Sequence, residues 1–216
     1  MKKIYGIGTG PGDPELLTLK AVRIMKEVDV IFAPNNKGKN MALDTAAEFI
    51  EGKEIVFLDF PMGKVTEEIY IQNAKIMEEN VGEGKAGAFL TIGDPTYYST
   101  FINMMEFFSD DVHLEIISGI PSFVGAAGRS NSPLAFTGEE FSVIDRIPLE
   151  NPKADSLAIL KAFKLEEDEL DRLERFGFEY KYIQRASLPE EIILEDKSEI
   201  LKERDYISLI LARRKK

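Results

Sequence analysis

The feature that most restricts the fold is a rhythm. Over residues 1–118, short apolar runs alternate with segments whose apolar residues recur at helical spacing. "KIYGIG", "VDVIFAP", "EIVFLDFP", "AGAFLTIG" and "VHLEIIS" read as strands. A helix is expected from residue 14, where Leu17, Ala21, Ile24 and Val28 follow one another at helical spacing. "MALDTAAEFI" reads as a second helix. Tyr70, Ala74, Met77 and Val81 mark one face of a third, and "TYYSTFINMMEFF" reads as a fourth. Five strands alternating with helices predict an α/β domain, with a mostly parallel five-stranded sheet and helices on both faces.

After about residue 120 the rhythm changes. "EFSVID", "SLAILKAF", "FEYKYIQRA", "EEIILE" and "DYISLILAR" are strand candidates, and "EEDELDRLERFG" is the one convincing helix among them. Strands now outnumber helices, which predicts a second, mixed α+β sheet domain. The expected division is 1–118 and 119–216. Between them, "SGIPSFVGAAGRSNSPLAFTG" is rich in small residues but holds an apolar helical piece, so it reads as a crossing segment. The acidic run Glu166–Glu174 reads as a solvated helix face, not a metal site.

Composition narrows the chemistry. The chain of 216 residues has no Cys and one His, His113, so thiolate chemistry, a His-rich metal site and a catalytic triad are not expected. His113 reads as a residue at a strand start. A net charge of −11 argues against nucleic acid as a partner. No apolar run approaches the roughly 20 residues of a membrane span, and no signal-peptide pattern is visible. The expectation is a cytoplasmic protein with no membrane partner.

Two strand-like runs end in the same tripeptide, Gly12-Asp13-Pro14 and Gly93-Asp94-Pro95. Asp followed by Pro suits a helix start: the carboxylate accepts from an orphan N–H, and Pro fits the first helical position. Position suggests more. In open parallel sheets ligands lie outside the C-terminal strand ends, near a topological switch point. Glycine there allows close approach to the backbone. The first loop carries Gly6, Gly8, Gly10 and Gly12, but its spacing fits neither a dinucleotide fingerprint nor a Walker loop. A cofactor met by backbone and small side chains, without a phosphate cradle, fits better.

These residues resemble a known family. "GIGTGPGDPELLTLKA", "FLTIGDPTYYSTF", "SGIPSFVGAAG" and "IQRASLPEE" are similar, in this order, to four signatures of the tetrapyrrole (corrin/porphyrin) methylases, which use S-adenosylmethionine. Within the family, "VIFAPNNKGKNMALD", "FPMG" and Tyr98-Ser99-Thr100-Phe101 resemble the C20-methyltransferases of precorrin-2 or cobalt-precorrin-2. The second domain is somewhat short for that subfamily. Where some members place a catalytic Asp, this chain has Ala33 or Pro34.

The resemblance implies a two-domain homodimer with S-adenosylmethionine held between the domains and a tetrapyrrole over the sheet's C-terminal end. It implies cofactor contacts from Pro11, Ile92, Gly93, Asp94, Tyr97, Pro121, Ser122, Phe123, Leu160 and Ala186. The plain readings of two of these are strand core for Leu160 and a helix N-cap for Ser122. Methyl transfer from a sulfonium needs alignment and water exclusion, with no metal and no protein nucleophile. A base for the displaced proton is not identified; Asp13 and Tyr97 are candidates. A polycarboxylate substrate on an acidic protein needs local positive or polar groups. Gly12, Asp13, Asn35, Asn36, Lys37, Lys39 and Arg185 are the substrate-binding candidates, and Arg129 and Lys161 are further cations to consider. Alternatives are another methylase of this fold, acting elsewhere on the corrin ring, on a diphthamide precursor or on rRNA, or a non-catalytic nucleoside-cofactor-binding protein.

Overall fold

A computed structural model describes residues 1–35, 40–61 and 65–215. The chain divides into two compact units, Met1–Pro121 and Ser122–Lys216. Residues 118–121 stay with the first unit, where the Gly119 backbone packs against Gly8 and Gly93.

The first unit contains β1 (Lys2–Gly8), β2 (Val30–Pro34), β3 (Glu54–Leu58), β4 (Ala86–Thr91) and β5 (Val112–Ile117). Their order in the sheet is β3-β2-β4-β1-β5, and every pair is parallel. Strands covered on both faces lose the alternation of a half-exposed sheet. That is why β1, buried from Ile4 to Gly8, reads as one small and apolar run.

The crossovers carry α1 (Leu19–Glu27), α2 (Met41–Ala46), α3 (Glu67–Asn80) and α4 (Thr100–Met104). On one face, Ala21, Ile24 and Met25 of α1 and Ala42 and Ala46 of α2 pack on Tyr5, Ile7, Ile31 and Leu90. On the other, Met77 of α3 and Phe101 and Met104 of α4 pack on Ile4, Phe32, Leu58 and Phe89. Each large side chain so buried contributes roughly 1.5–3 kcal/mol.

Two helix starts differ from expectation. Residues Pro14–Leu16 form a 3-10 turn, and α1 begins only at Leu19. Likewise α4 begins at Thr100, after Tyr97 and Tyr98. In each case a hydroxyl residue further along takes the capping position, and the Asp-Pro pair serves a separate turn.

The second unit contains α5 (Ser122–Arg129), β6 (Phe141–Ile144), β7 (Ser156–Leu160), α6 (Glu167–Arg175), β8 (Phe178–Gln184), β9 (Ile192–Leu194), α7 (Lys197–Ile200) and β10 (Ser208–Arg214). The sheet order is β6-β7-β10-β8-β9; β6 and β7 are parallel and the other pairs antiparallel. Leu170 and Leu173 of α6 and Ile200 of α7 cover one face. Phe123 and Ala126 of α5 cover the other. The acidic run does form a helix, closed at its start by a reciprocal Glu166–Glu169 capping box. The single turn α7, capped by Asp196, is too short to show a period in the sequence.

Candidate active site

β1 and β4 are neighbours, yet the chain leaves them in opposite directions. From β1 it crosses over β4 to β2; from β4 it crosses over β1 to β5. This is the switch point at which open α/β sheets bind ligands. The two Gly-Asp-Pro exits follow these two strands.

The exits are built alike. Asp13 Oδ1 accepts from the Glu15 N–H at 2.9 Å, and Asp94 Oδ1 from the Thr96 N–H at 2.8 Å. Both are Asx turns, in which a short side chain closes a loop its own backbone would otherwise close. Five positions beyond each Asp comes the helix cap. Thr18 Oγ1 accepts from the Ala21 N–H at 3.2 Å, and Ser99 Oγ from the Ile102 N–H at 3.4 Å. The repeated tripeptide is therefore half of a longer device that turns the chain and then starts a helix.

The two loops are also stitched together. The Gly10 N–H donates to the Gly93 carbonyl at 3.2 Å, and the Gly93 N–H to the Gly10 carbonyl at 2.7 Å. The loop after β5 joins them. A Cβ on Gly8 would lie 2.5 Å from the Gly93 oxygen and 2.6 Å from the Gly119 nitrogen, distances that side-chain carbons do not tolerate. Asp94 Oδ2 accepts from the Gly119 N–H at 3.0 Å, and its Oδ1 also accepts from Thr96 Oγ1. Only 6% of Asp94 is exposed. Behind the first loop, the Thr45 hydroxyl of α2 donates to the Met41 carbonyl at 2.7 Å and lies 3.1 Å from the Gly12 carbonyl.

The structure thus gathers Pro11, Gly12, Asp13, Ile92, Gly93, Asp94 and Tyr97 around one rim. Pro11 and Gly12 are buried and Asp13 is partly buried. Ile92 is 38% and Tyr97 46% exposed, an apolar and aromatic surface left open beside the glycines. The Asp94 carboxylate is committed to holding the exits, so what it offers a ligand is backbone. Asn35 lies at the end of β2; its N–H donates to the Leu58 carbonyl and its Nδ2 to Asp59 Oδ1, both at 2.7 Å. Asn36, Lys37 and Lys39 lie outside the described residues. His113 pairs with Lys3 near the opposite end of the sheet. No metal-holding group of His, Asp or Glu occurs among the described residues.

In the second unit, Ser122 is the first residue of α5, so it does not occupy the N-cap position. Phe123 packs on Phe141, with ring centroids 5.7 Å apart, and shares a cluster with Ala186 and Leu160. Leu160 and Ile183 both pair with Leu209, so the C-terminal ends of β7 and β8 share one sheet edge. Along that edge Lys161, Arg185 and Ser187 adopt φ values of 56°, 49° and 69°. Left-handed backbone is costly for such residues and is held only where surrounding contacts enforce it. Arg129 is paired with Glu191 at 3.0 Å. Pro121 closes the first unit.

Sequence reading missed Gly119 and Thr45, which also position the rim. Gly119 follows the apolar run of β5 closely; nothing local marked Thr45.

The features define a class. An open parallel domain, with a glycine rim at its switch point, precedes a mixed-sheet domain whose strand ends carry enforced left-handed backbone. A family model, Tetrapyrrole (Corrin/Porphyrin) Methylases, matches residues 3–201, and the chain belongs to that family. It is 34% identical to a probable cobalt-precorrin-2 C(20)-methyltransferase of Methanocaldococcus jannaschii, over 99% of this chain and 97% of the relative. It is 32% identical to the cobalt-precorrin-2 C(20)-methyltransferase of Salmonella typhimurium, over 74% of this chain and 73% of that one. Among solved structures, the fold is similar to a uroporphyrin-III C-methyl transferase from Thermus thermophilus complexed with S-adenyl homocysteine. That match has a TM-score of 0.69 at 22% identity and covers 98% of this chain and 97% of the other.

Proposed function

We propose that this protein transfers a methyl group from S-adenosylmethionine to C20 of precorrin-2 or cobalt-precorrin-2. The observation that carries this reading is the end-to-end match to a relative named as a probable cobalt-precorrin-2 C(20)-methyltransferase. The rim supports it. A nucleoside sulfonium has no phosphates to cradle, and the rim offers backbone groups, glycines and the open Ile92 side chain. When bound, S-adenosylmethionine supplies a methyl already activated by a positive sulfur.

The chain's own part is placement. The Gly10–Gly93 bridge fixes the rim on which the donor is aligned, and alignment with water exclusion lowers the barrier. As the rim groups that take the proton from C20 we propose Asp13 and Tyr97. For the acceptor's carboxylates we propose Gly12, Asn35, Asn36, Lys37 and Lys39. We further propose a homodimer acting in the cytoplasm. No helix among the described residues is long and apolar enough to cross a membrane. Light scattering on the purified protein tests the dimer.

The reaction is tested with S-adenosylmethionine and dipyrrocorphin, with and without cobalt, mapping the new methyl by NMR. One methyl at C20 is expected. Methylation elsewhere, or none on either acceptor, overturns the reading.

A further inference from the structure

We propose that Arg185 is a carboxylate receptor and that Asp205, twenty residues on, is the positioning residue that aims it. This rests on the methyl-transfer reading above and assigns the site a ligand group. Arg185 Nε donates to Asp205 Oδ2 at 2.6 Å. The other oxygen of Asp205 accepts from the Ile207 N–H at 2.9 Å, so the carboxylate cannot rotate away. The Arg185 backbone is held as well: its N–H donates to the Ile207 carbonyl at 2.9 Å and its φ is 49°. The two side chains are only 26% and 21% exposed.

The Nε bond leaves part of the guanidinium over, as it does in Arg129 and Arg146, but those side chains are 59% and 82% exposed. Among the described residues, Nη1 and Nη2 of Arg185 take no partner. Arg214 is the contrast, with its whole guanidinium spent on the fold. Arg214 uses Nε on the Ala154 carbonyl, Nη1 on Phe176 and Nη2 on Asn151 and Pro152. Arg185 keeps the four N–H donors of its outer fork, in a plane set by Asp205, at the end of β8. A planar, fixed, half-buried fork is the geometry that binds a carboxylate through two parallel hydrogen bonds. In a chain of net charge −11, such a fork also offsets repulsion that an incoming anion would meet.

Two sources carry that group: the methionine carboxylate of the donor, or an acetate or propionate of the tetrapyrrole. Calorimetry on wild type, Arg185→Lys and Asp205→Asn separates them, using S-adenosylhomocysteine and its decarboxylated analogue, together with steady-state kinetics for the acceptor. Arg185→Lys keeps a cation for Asp205, so the fold is not left with a lone buried carboxylate, and thermal melts check this. If the donor supplies the carboxylate, both variants weaken S-adenosylhomocysteine by ~10- to 100-fold and leave the decarboxylated analogue unchanged. If the acceptor supplies it, S-adenosylhomocysteine binding holds and the acceptor KM rises by a similar factor at nearly constant kcat. Unchanged values throughout in folded variants overturn the inference. Equal weakening of both nucleosides does so too, because that marks general damage to the edge. Wild type that binds neither nucleoside and methylates nothing refutes the methyl-transfer reading itself.

Discussion

The sharpest consequence of the rim concerns Gly8→Ala. In the folded chain an alanine Cβ at this position would stand 2.5 Å from the Gly93 oxygen, 2.6 Å from the Gly119 nitrogen and 2.8 Å from Gly119 Cα. All three are backbone atoms, so no side chain can rotate aside. For ordinary contact at 3.4 Å the oxygen must retreat by about 0.9 Å. Gly93 cannot retreat while it exchanges two hydrogen bonds with Gly10, and β1 is fixed between β4 and β5. Overpacking of this kind costs about 1–3 kcal/mol. Losing the two bridge hydrogen bonds adds about 1 kcal/mol each. A total of about 3–5 kcal/mol lowers the melting temperature by roughly 6–20 °C for a chain of this size. Circular-dichroism melts measure that shift, and calorimetry with S-adenosylhomocysteine measures the rim. Gly128→Ala is the control: it lies inside α5, nothing stands within 4 Å of a new Cβ, and its backbone is ordinary. It should gain about 0.5–1 kcal/mol, as glycine in a helix interior is replaced. A Gly8→Ala protein that melts with wild type and binds the nucleoside equally well would falsify the account of three interlocked exits.

Asp94→Asn keeps an acceptor for Thr96 but turns an NH2 toward the Gly119 N–H; urea titration should show a loss of about 1–3 kcal/mol. Thr18→Val removes the cap of α1 and a bond to the Ser118 carbonyl, and a loss of about 1 kcal/mol is expected by the same titration. The Lys20 ammonium, hydrogen-bonded to Glu115 at 2.6 Å, holds that carboxyl below its usual range. A depressed folded value stabilises the protein above the unfolded value and ceases to do so as pH falls through the folded one. Glu115→Gln should therefore melt below wild type at neutral pH, with the gap closing in acid; because both side chains are well exposed, high salt should narrow it too. A gap that widened in acid would contradict that assignment.

The first domain was legible because its parallel strands are covered on both faces. β1, β2 and β4 must be apolar along their length, and the crossovers must show a helical face. The second domain was legible strand by strand, since β7, β8 and β10 alternate between the α6 face and the α5 face. Its order was not legible. Nothing local in "SLILARR" says that β10 runs between β7 and β8, because antiparallel insertion is decided by the whole core. Helix starts were misread for a physical reason. Asp-Pro satisfies the requirements of an N-cap and of an Asx turn equally, so the tripeptide alone does not choose. The choice lies five residues on, in Thr18 and Ser99, where each hydroxyl reaches the third N–H of the true helix. The Arg185–Asp205 pair was illegible for another reason. It spans twenty residues and depends on the turn that brings β10 back beside β8.

The two Gly-Asp-Pro copies also show how one local motif yields unequal roles. Both Asp residues close the same turn at nearly the same distance, 2.9 and 2.8 Å. They differ in what surrounds them. Asp94 follows β4, which is central, and the exit of β5 passes over it, so its second oxygen meets the Gly119 N–H and the residue is nearly sealed. Asp13 follows β1 and stays partly exposed at the rim. Both Asp94 oxygens are occupied by the Thr96 and Gly119 donors that hold the exits together. Asp13 is the copy proposed to take the proton, so Asp13→Asn should depress turnover far more than Asp94→Asn does per unit of stability lost.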